Sequence, residues 1–595
     1  MKKFVVQKIL YPQNKPLPLR ELYYKAKPGL VDFYTYFNSF PIVKWKTYTH
    51  LSNIHLHLSI NGTCKLNIFD DSNESEDSKQ RYSHFFTSST DIEIPYNANS
   101  SCLLGFSLSE LSDDFSFISG HFYTLIEPCN CQDIKLGIGI CTFKREKYLL
   151  HNLDFLQMNI LQNPESILFN NLDIYVADNG NSVKDVLDEN NIKLDRHIHL
   201  FHNINAGGSA GFTRCIIEFL KKEIPPTHIL LMDDDVTFET ESIERTTAFL
   251  SLIKIEYKSD FIGGAMLKEE VPIVQFENGA KWSLKHYDTP QLLETNLDLT
   301  ESQNIKSNLN NSNANYNAWF YCCIPTKTFE KHKLPLPFFI HYDDIEYGIR
   351  CNKNIINING ICVWHPTESK YSPTMTYYDT RNSLVTSFLW DANKNTRFAL
   401  IFLCIKKIID TTTTYRYIDW KLFYKAVHQV LYRTQEFTSV DPISLHTKIS
   451  SQKYEYFAPS SILCKKKYIS KNEVHHISSY FKKIGIKQII DASISLFLLF
   501  LPTYKKDICL MNSTPPFFHP FFRSRKKIYV YDSKKNNFFL LKKESSKNFS
   551  CFIQFFILCF EILFLYNHAR KETKKQFEKI TSVDYWTKYL KLNQP

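Results

Sequence analysis

Three consecutive carboxylates, Asp233, Asp234 and Asp235, follow the apolar run at residues 229–232. A buried strand that ends in acidic residues is a common way for an α/β sheet to present a site. Adjacent carboxylates repel one another, and a divalent cation removes that repulsion. Aspartate oxygens suit Mg²⁺ or Mn²⁺, and substrate phosphates usually complete the coordination shell of such an ion. The stretch therefore indicates a metal–phosphate site, with an acidic turn after a strand as the structural alternative.

A glycine-rich loop at residues 205–211 separates a predicted strand from a predicted helix. Glycines let a backbone approach a ligand closely, and the N-terminus of a helix favours phosphate. The loop is not a P-loop because no Lys-Ser/Thr pair follows it, and it does not match the dinucleotide-binding fingerprint. Its significance comes from the order in which Arg145, Asp178, the loop and the triple aspartate follow one another.

Two patterns of secondary structure divide the first 390 residues. From about residue 134, strands alternate with helices, which predicts a parallel sheet with helices on both faces. Residues 1–130 read instead as short alternating strands, which predicts an antiparallel β-sandwich that either binds carbohydrate or packs on its neighbour. Asn61-Gly62 predicts a hairpin turn there, and His55 and His57 should share one half-buried strand face.

The ordered motifs continue downstream in five segments: Ile262-Gly263-Gly264, Asn317-Ala318-Trp319-Phe320, Asp343-Asp344-Ile345-Glu346-Tyr347-Gly348, Val363-Trp364-His365-Pro366 and Tyr377-Tyr378-Asp379-Thr380-Arg381-Asn382. Together with the upstream set they resemble glycosyltransferase family 2, the inverting GT-A enzymes that use nucleotide-diphosphate sugars. Within that family the combination most resembles bacterial galactofuranosyltransferases that polymerise cell-wall galactan. The resemblance covers residues 1–390 in order.

The resemblance implies a role for each matching residue. On the donor side, contacts to the nucleotide, ribose or sugar are implied for Arg145, Asp178, Asn205, Gly207, Gly208, Asp234 and Arg381. The implied metal ligands, for Mn²⁺ or Mg²⁺, are Asp233, Asp235 and His365. Asp344 is the implied general base, and acceptor contacts are implied for Trp319, Phe320, Asp343 and Glu346.

Several of these residues have structural alternatives. The acidic segment at 343–346 could be the first turn of a helix, where the dipole favours carboxylates. His365 could be a buried structural histidine, Trp319 could belong to the core, and Arg381 could pair with a structural carboxylate. Two departures from the family pattern make the acceptor less certain than the donor: Trp-Trp reads Trp319-Phe320, and the acidic residue near Gly279 is Glu277.

Composition adds constraints on location. The chain has 595 residues, a formal charge of +10 and 15 cysteines, several of them inside apolar runs. Scattered cysteines of odd number indicate reduced core thiols in a cytoplasmic protein rather than disulfides, and Cys129-Asn130-Cys131 and Cys322-Cys323 lack zinc-site spacing. The N-terminus has no sustained apolar stretch, so we expect no signal peptide.

The last third of the chain is predicted to be helical, basic and aromatic. Lysines cluster at residues 465–467, 523–527 and 574–575, and prolines and phenylalanines alternate at 515–522. The apolar run 549–566 contains Gln554 and Glu561, and an acid at mid-bilayer costs at least ~2.5–3.5 kcal/mol. We therefore favour a core or interfacial helix that contacts anionic lipid over a transmembrane anchor.

The sequence thus predicts an α/β GT-A, Rossmann-like catalytic domain (131–390), an N-terminal β-sandwich domain (1–130) and a C-terminal membrane-associating helical region (391–595). The predicted function is metal-dependent, inverting transfer of a sugar, galactofuranose by resemblance, from a UDP-sugar to a glycan or lipid-linked glycan in cell-surface polysaccharide synthesis. It would act on the inner face of the cytoplasmic membrane, with homo-oligomerisation left open. The alternatives are another donor sugar such as rhamnose or galactopyranose, an inactive carbohydrate-binding scaffold, and a nucleic-acid-binding or membrane-binding non-enzyme. No nucleic-acid reader motif is present.

Overall fold

The computed structural model describes residues 1–72, 79–94, 96, 101–283, 290–310, 313–367, 372–391, 396–432, 441–458, 486–499, 501, 508–510, 525–532 and 535–592. The lysine cluster 465–467 and the aromatic stretch 515–522 lie outside the described residues, as does part of the basic cluster 523–527.

The N-terminal region forms one antiparallel sheet of seven strands. The strands are β1 (Lys2–Lys8), β2 (Lys25–Lys27), β3 (Leu30–Asp32), β4 (His55–Ser72), β5 (Lys79–Glu93), β6 (Ser101–Ser109) and β7 (Ser116–Ile126). A 3₁₀ helix (Leu19–Leu22) and one α-helix, α1 (Ile42–Tyr48), lie between them in the described part of this region. The predicted antiparallel strands are confirmed, but their hydrogen bonds join them into one sheet instead of separating them into two.

Strand β4 explains how one sheet holds seven strands. It pairs with β5 along one edge. Along its other edge the first half of β4 pairs with β7 and the second half with β6.

The predicted hairpin at Asn61-Gly62 is wrong, because the chain does not reverse there. The register between β4 and β5 only shifts, and Gly62 takes a positive φ of 78°. As predicted, His55 and His57 share one half-buried face of β4, while Leu56 and Leu58 point into the core.

The central region contains a ten-stranded mixed sheet, in the order β10-β9-β8-β11-β18-β13-β14-β17 with β19 pairing β13 and β12. Its strands are β8 (Leu136–Thr142), β9 (Leu172–Asp178), β10 (Ile198–His202), β11 (His228–Asp233), β12 (Thr237–Phe238), β13 (Phe261–Lys268), β14 (Val274–Glu277), β17 (Leu297–Asp298), β18 (Tyr321–Pro325) and β19 (Ile355–His365). A separate pair is formed by β15 (Ala280–Lys281) and β16 (Gln291–Leu292). Strands β10, β9, β8 and β11 are parallel as predicted, whereas β18 runs antiparallel to β11.

Helices cover both faces of this sheet. They are α2 (Glu146–Leu156), α3 (Val183–Glu189), α4 (Gly208–Leu220), α5 (Thr240–Leu252), α6 (Ser302–Ser307), α7 (Thr326–His332), α8 (Asp343–Cys351) and α9 (Pro373–Trp390). Alternate residues of β11 enter two cores: Leu230 and Met232 pack with the N-terminal sheet and α5, and Ile229 and Leu231 pack with α4 and the C-terminal helices. Burial on both faces explains why this strand is apolar without alternation.

The C-terminal region consists of long helices and one small sheet. The helices are α10 (Thr396–Thr413), α11 (Tyr417–Tyr432), α12 (Pro442–Ser450), α13 (Ile486–Leu498), α14 (Ser545–Ile580) and α15 (Val583–Tyr589). The sheet, which the sequence analysis did not predict, has the strands β20 (Tyr456–Phe457), β21 (Ile508–Leu510), β22 (Lys527–Asp532) and β23 (Asn537–Lys542). Within the described part of the chain, α14 is the one helix long and apolar enough to cross a membrane by length and composition.

Candidate functional site

The triple aspartate occupies the carboxyl end of β11. Asp233 is the last residue of the strand and is half-buried, Asp234 is buried, and Asp235 is half-buried in the following turn. Burial is the main cause that raises the pKa of Asp233, to about 7, and the neighbouring carboxylates add to it. The strand end therefore concentrates negative charge that a bound cation would relieve.

His365 joins Asp233 and Asp235 because a short strand pair brings β19 to the same edge. Strand β12 pairs antiparallel with β19 at Val363 and Trp364, which leaves His365 beside the aspartates. One ligand atom from each of the three residues lies within 4.8 Å of the others, and His365 Nε2 lies 3.3 Å from Asp235 Oδ1. Two carboxylate oxygens and one imidazole nitrogen form a donor set that fits Mn²⁺ and suits Mg²⁺ less well.

Without a metal, the charges of this group balance one another. Burial opposes protonation of His365, but the hydrogen bond and charge of Asp235, together with the charge of Asp233, raise its pKa to about 8. Burial likewise opposes ionisation of Asp235, yet His365 and Arg145 hold its pKa below the ordinary value. A divalent cation would replace the proton of His365, because a metal ligand must be the neutral imidazole.

Arg145 and Asp234 form the wall beside the metal-ligand set. The guanidinium of Arg145 pairs with Asp235 and donates from Nη1 to Asp234 Oδ1 over 3.2 Å. Asp234 Oδ2 accepts from Thr142 Oγ1 at 2.6 Å, so this carboxylate fixes the strand end and holds Arg145.

A cavity of about 750 Å³ opens in front of these residues. Nine of the predicted site residues line it: Arg145, Gly208, Asp233, Asp235, Trp319, Phe320, Asp343, Asp344 and His365. The metal-ligand set and the acidic pair of α8 therefore share one space, as the predicted mechanism requires. Trp319 and Phe320 are buried, so each also belongs to the core.

Asp343 and Asp344 form the N-terminus of α8. Both side chains are partly exposed, and Asp344 Oδ1 accepts from Ile345 N at 2.7 Å. Removal from solvent raises the pKa of both carboxyls, and the charge of Asp343 raises that of Asp344 further. A carboxyl with a raised pKa at a cavity wall has the properties of a general base.

The glycine loop contacts the segment that leads into α8. The N–H of Gly208 donates to Phe339 O over 3.1 Å, and Gly207 takes a φ of 90° where its backbone lies against the same carbonyl. Asn205 Oδ1 accepts from Gly207 N at 3.4 Å. Gly208 lines the cavity, whereas Asn205 and Gly207 hold the shape of the loop behind it.

Three predicted site residues have structural contacts and lie outside the cavity lining. Asp178 accepts backbone N–H groups from Gly180, Ser182 and Val183 at 2.8–2.9 Å and so caps α3. Glu346 is buried, forms an ion pair with Arg350 and accepts from Trp390 Nε1 at 2.7 Å. Arg381 donates to Asn382 Oδ1 over 3.0 Å and stacks on the rings of Tyr377 and Tyr378. Their predicted roles in nucleotide, acceptor and phosphate binding stay predictions.

Comparison with known proteins shows which proteins the chain is similar to. The family Galactofuranosyltransferase 2 N-terminal matches residues 20–102. The chain is 25% identical over 430 residues to galactofuranosyltransferase GlfT2 of Mycobacterium tuberculosis, a match that covers 67% of this chain and 65% of that protein. It is also 25% identical to GlfT2 of Mycolicibacterium smegmatis, over 61% of this chain and 58% of that protein.

The chain resembles the galactofuranosyltransferases. The similarity extends over less than two thirds of the length of either curated relative. Among solved structures, S. aureus TarS overlays with a TM-score of 0.33 and 13% identity, over 54% of this chain and 53% of that chain. A TM-score of this size carries no argument about fold or activity, so the similarity to galactofuranosyltransferases rests on the sequence.

Among the lining residues without a predicted role, a histidine and an aspartate form an ion pair. His341 Nδ1 and Asp379 Oδ1 lie 2.8 Å apart at the cavity wall. Partial removal from solvent opposes protonation of His341, but the hydrogen bond and charge of Asp379 raise its pKa. His341 and Tyr342 both have positive φ, at 59° and 73°. A histidine two residues before the acidic pair was a visible signal, whereas its partner 38 residues away was not.

Gly207→Ala should destabilise the protein far more than Gly208→Ala. A Cβ at Gly207 would overlap the carbonyl of Phe339 and would sit on a left-handed backbone, whereas at Gly208 it would meet only Asp343 Oδ2 at 4.0 Å. We expect a loss of at least about 2 kcal/mol for Gly207→Ala and less than about 1 kcal/mol for Gly208→Ala, measured by urea denaturation. Equal losses in the two variants would contradict this packing of the loop.

Proposed function

We propose that the protein transfers galactofuranose from UDP-galactofuranose to a glycan or lipid-linked glycan acceptor, by a metal-dependent reaction that inverts the anomeric centre. The observation that carries the proposal is the single cavity that holds both the metal-ligand set and the acidic pair of α8. The sequence similarity to two proteins named galactofuranosyltransferase supports the donor sugar.

The donor side must neutralise a departing diphosphate. Asp233, Asp235 and His365 would hold a divalent cation, which supplies electrostatic stabilisation to the leaving group. Arg145 lies on the same wall with its side chain 44% exposed, so its guanidinium can turn from the aspartates towards a phosphate. The N-terminus of α4, at Gly208, adds a positive dipole end beside the cavity.

The acceptor side must remove a proton from the attacking hydroxyl. Asp344 lies on the cavity wall with a raised pKa, and we assign it the role of general base. Such a base contributes roughly 10²–10⁴-fold to the rate. Asp343 keeps the pKa of Asp344 high, and Trp319 and Phe320 would bound the acceptor sugar. A single displacement with this base needs no covalent nucleophile and inverts the anomeric centre.

A donor screen tests the reaction directly. With Mn²⁺ and a galactan oligosaccharide acceptor, mass spectrometry should detect transfer from UDP-galactofuranose, and excess EDTA should abolish it.

Asp235→Asn should lower kcat/KM at least about 100-fold, since it weakens the metal-ligand set. Asp188→Asn, an exposed aspartate on α3, serves as the matched control. Preferential transfer from another UDP-sugar would overturn the donor assignment, and metal-independent transfer would overturn the ligand assignment.

The pH dependence of transfer should have an acidic limb set by Asp344. Because burial and the charge of Asp343 raise the pKa of Asp344, this limb lies above the ordinary aspartate value of about 3.9. The carboxylate is active when ionised, so kcat/KM falls as pH drops through that pKa. Asp343→Asn removes the neighbouring charge and should move the limb to lower pH, as measured in kcat/KM profiles. A limb at the same pH in both proteins would exclude this coupling.

We further propose that helices α10, α13 and α14 place the enzyme on a membrane surface. Large apolar side chains are exposed along all three helices: Phe398, Phe402, Ile490, Ile494, Phe497, Phe549, Phe556, Phe560 and Phe564. The two polar residues in the apolar part of α14 face the protein instead, since Gln554 accepts from Trp420 Nε1 at 3.0 Å and Glu561 lies 3.0 Å from His428 Nδ1. The cost of placing Glu561 in lipid therefore does not arise for a helix lying in the interface.

Basic residues flank this apolar surface and favour an anionic membrane. Lys542 and Lys547 precede the apolar part of α14, and Arg570, Lys571 and Lys574 follow it. Each basic residue near an anionic surface contributes about 1 kcal/mol. The arrangement is that of a helix lying on the membrane with its aromatic side in the headgroup region.

Replacing two phenylalanines of this surface should release the protein from vesicles. Phe556→Ser with Phe560→Ser should weaken binding to phosphatidylglycerol-containing vesicles at least about tenfold in a flotation assay, because each buried phenylalanine contributes about 1.5–3 kcal/mol. Phe85→Ser, an aromatic residue exposed on β5, is the control and should have no effect. Resistance of the wild type to alkaline carbonate extraction would indicate a membrane span and contradict the surface placement.

A further inference from the structure

A second cavity, of about 610 Å³, lies where the N-terminal sheet meets the central region. We call it the β1–α5 groove, because its walls are formed by β1, the middle of β7, the turn 165–167 and one side of α5. None of its lining residues lines the cavity that holds Asp344 and His365. The groove is therefore a separate space on the molecule.

Three side chains that line the groove have a buried polar atom without a hydrogen-bond partner among the described residues. The three atoms are Gln7 Oε1, Glu244 Oε1 and His121 Nε2. Gln7 and Glu244 are only 1% and 7% exposed. Leaving a buried acceptor unpaired costs free energy, so several such atoms in one cavity indicate a ligand or water that satisfies them.

The remaining polar atoms of these side chains are held in place. Gln7 Nε2 donates to Phe37 O and Ser39 O over 3.1 and 3.2 Å, and Glu244 Oε2 pairs with Lys8 Nζ. Desolvation, together with the charge of Lys3, lowers the pKa of His121 to about 4, so its ring is neutral at neutral pH. The two free oxygens are thus fixed acceptors, and the imidazole nitrogen accepts or donates according to its tautomer.

The charges that surround the groove are mixed in sign. Its basic lining residues are Lys2, Lys3, Lys8 and Arg245, and its acidic ones are Glu165, Glu241 and Glu244. Glu241 is already bound within the protein, since it accepts from Lys8 N at 2.9 Å and pairs with Arg245. A nucleotide or phosphate would meet the acids, and a cation would meet the lysines, so neither class of charged ligand fits well.

A neutral saccharide satisfies this set of groups. Its hydroxyls donate to the free acceptors and accept from the lysine ammonium groups at the rim. Val5 and Ile118 provide exposed apolar surface for the C–H face of a sugar ring. We propose that the β1–α5 groove is a saccharide-binding site, and that it holds a part of the glycan acceptor away from the transfer centre. The second clause of this proposal rests on the proposed function, whereas saccharide binding does not.

Direct binding tests the groove without catalysis. The probe is a lipid-free galactofuranose hexasaccharide, titrated by calorimetry into the full chain carrying Asp344→Asn, with EDTA and without donor. Ser119→Trp should fill the groove from an exposed position, and His121→Phe should remove the Nε2 atom while keeping a ring beside His57 and Tyr123. Each should weaken binding about tenfold. Thr87→Trp, at an exposed position of β5 outside the groove, should leave it unchanged.

The outcomes separate the two clauses of the proposal. No measurable hexasaccharide binding, or equal affinity in the Ser119→Trp and Thr87→Trp proteins, overturns the saccharide site and leaves ordered water as the occupant. Without the Asp344→Asn change, Ser119→Trp should raise the KM for the hexasaccharide with kcat unchanged, and an unchanged KM overturns the link to the acceptor. Groove-dependent binding in a protein that transfers no sugar would retain the site and reject the proposed function.

Discussion

Mutual repulsion among the carboxylates at the end of β11 is the constraint around which the site is built. Asp233 ends a strand that is buried on both faces, and Asp234 and Asp235 follow it, so the three carboxylates are only partly screened by water. Each carboxylate has a different environment. Asp234 accepts a hydrogen bond from Thr142, Asp235 pairs with Arg145 and His365, and the pKa of Asp233 is raised. A divalent cation at this point would take over from the proton of His365 in balancing these carboxylates.

Burial of β11 on both faces depends on the regions at either end of the chain. The N-terminal sheet and α5 supply one core, and α4 with the C-terminal helices supplies the other. Arg245 on α5 connects the N-terminal region to the ten-stranded central sheet. Its buried guanidinium donates to Phe37 O and to Asn359 O over 2.9 and 2.7 Å. The outer regions are thus structural supports of the strand as well as candidate binding surfaces.

Local sequence patterns predicted the elements and much of the site, because the relevant residues follow directly after strands or begin a helix. Asp233, His365 and Asp344 were placed at such ends, and the structure brings them to one cavity. Long-range pairings could not be predicted in this way: β12 must pair with β19 before His365 reaches Asp235. The direction in which β18 runs and the single-sheet pairing of β4 depend equally on tertiary contacts.

Some contacts that the sequence analysis did not predict had a local signal, and the predicted acceptor role of Glu346 stays untested. Glu346 and Arg350 stand four residues apart on a helix, a spacing that favours an ion pair over an acceptor contact. The apolar runs at β22 and β23, separated by polar residues, are typical of a hairpin. The left-handed backbone at His341 and Tyr342 had no comparable signal, because neither residue type favours that conformation strongly.

Hydrogen bonds connect the glycine loop with the segment before α8, and so join the two sides of the proposed reaction. Phe339 O accepts from Gly208 N at 3.1 Å, and Leu336 O accepts from Ser209 Oγ at 2.6 Å. The loop on the donor side and the segment that carries Asp344 therefore form one unit, held by backbone contacts that a Cβ at residue 207 would break. Since strained backbone at His341 and Tyr342 persists only where its surroundings hold it, this unit also fixes the direction in which α8 presents its carboxylates. The position of Asp344, the proposed base, is thereby tied to the glycine loop as well as to α8.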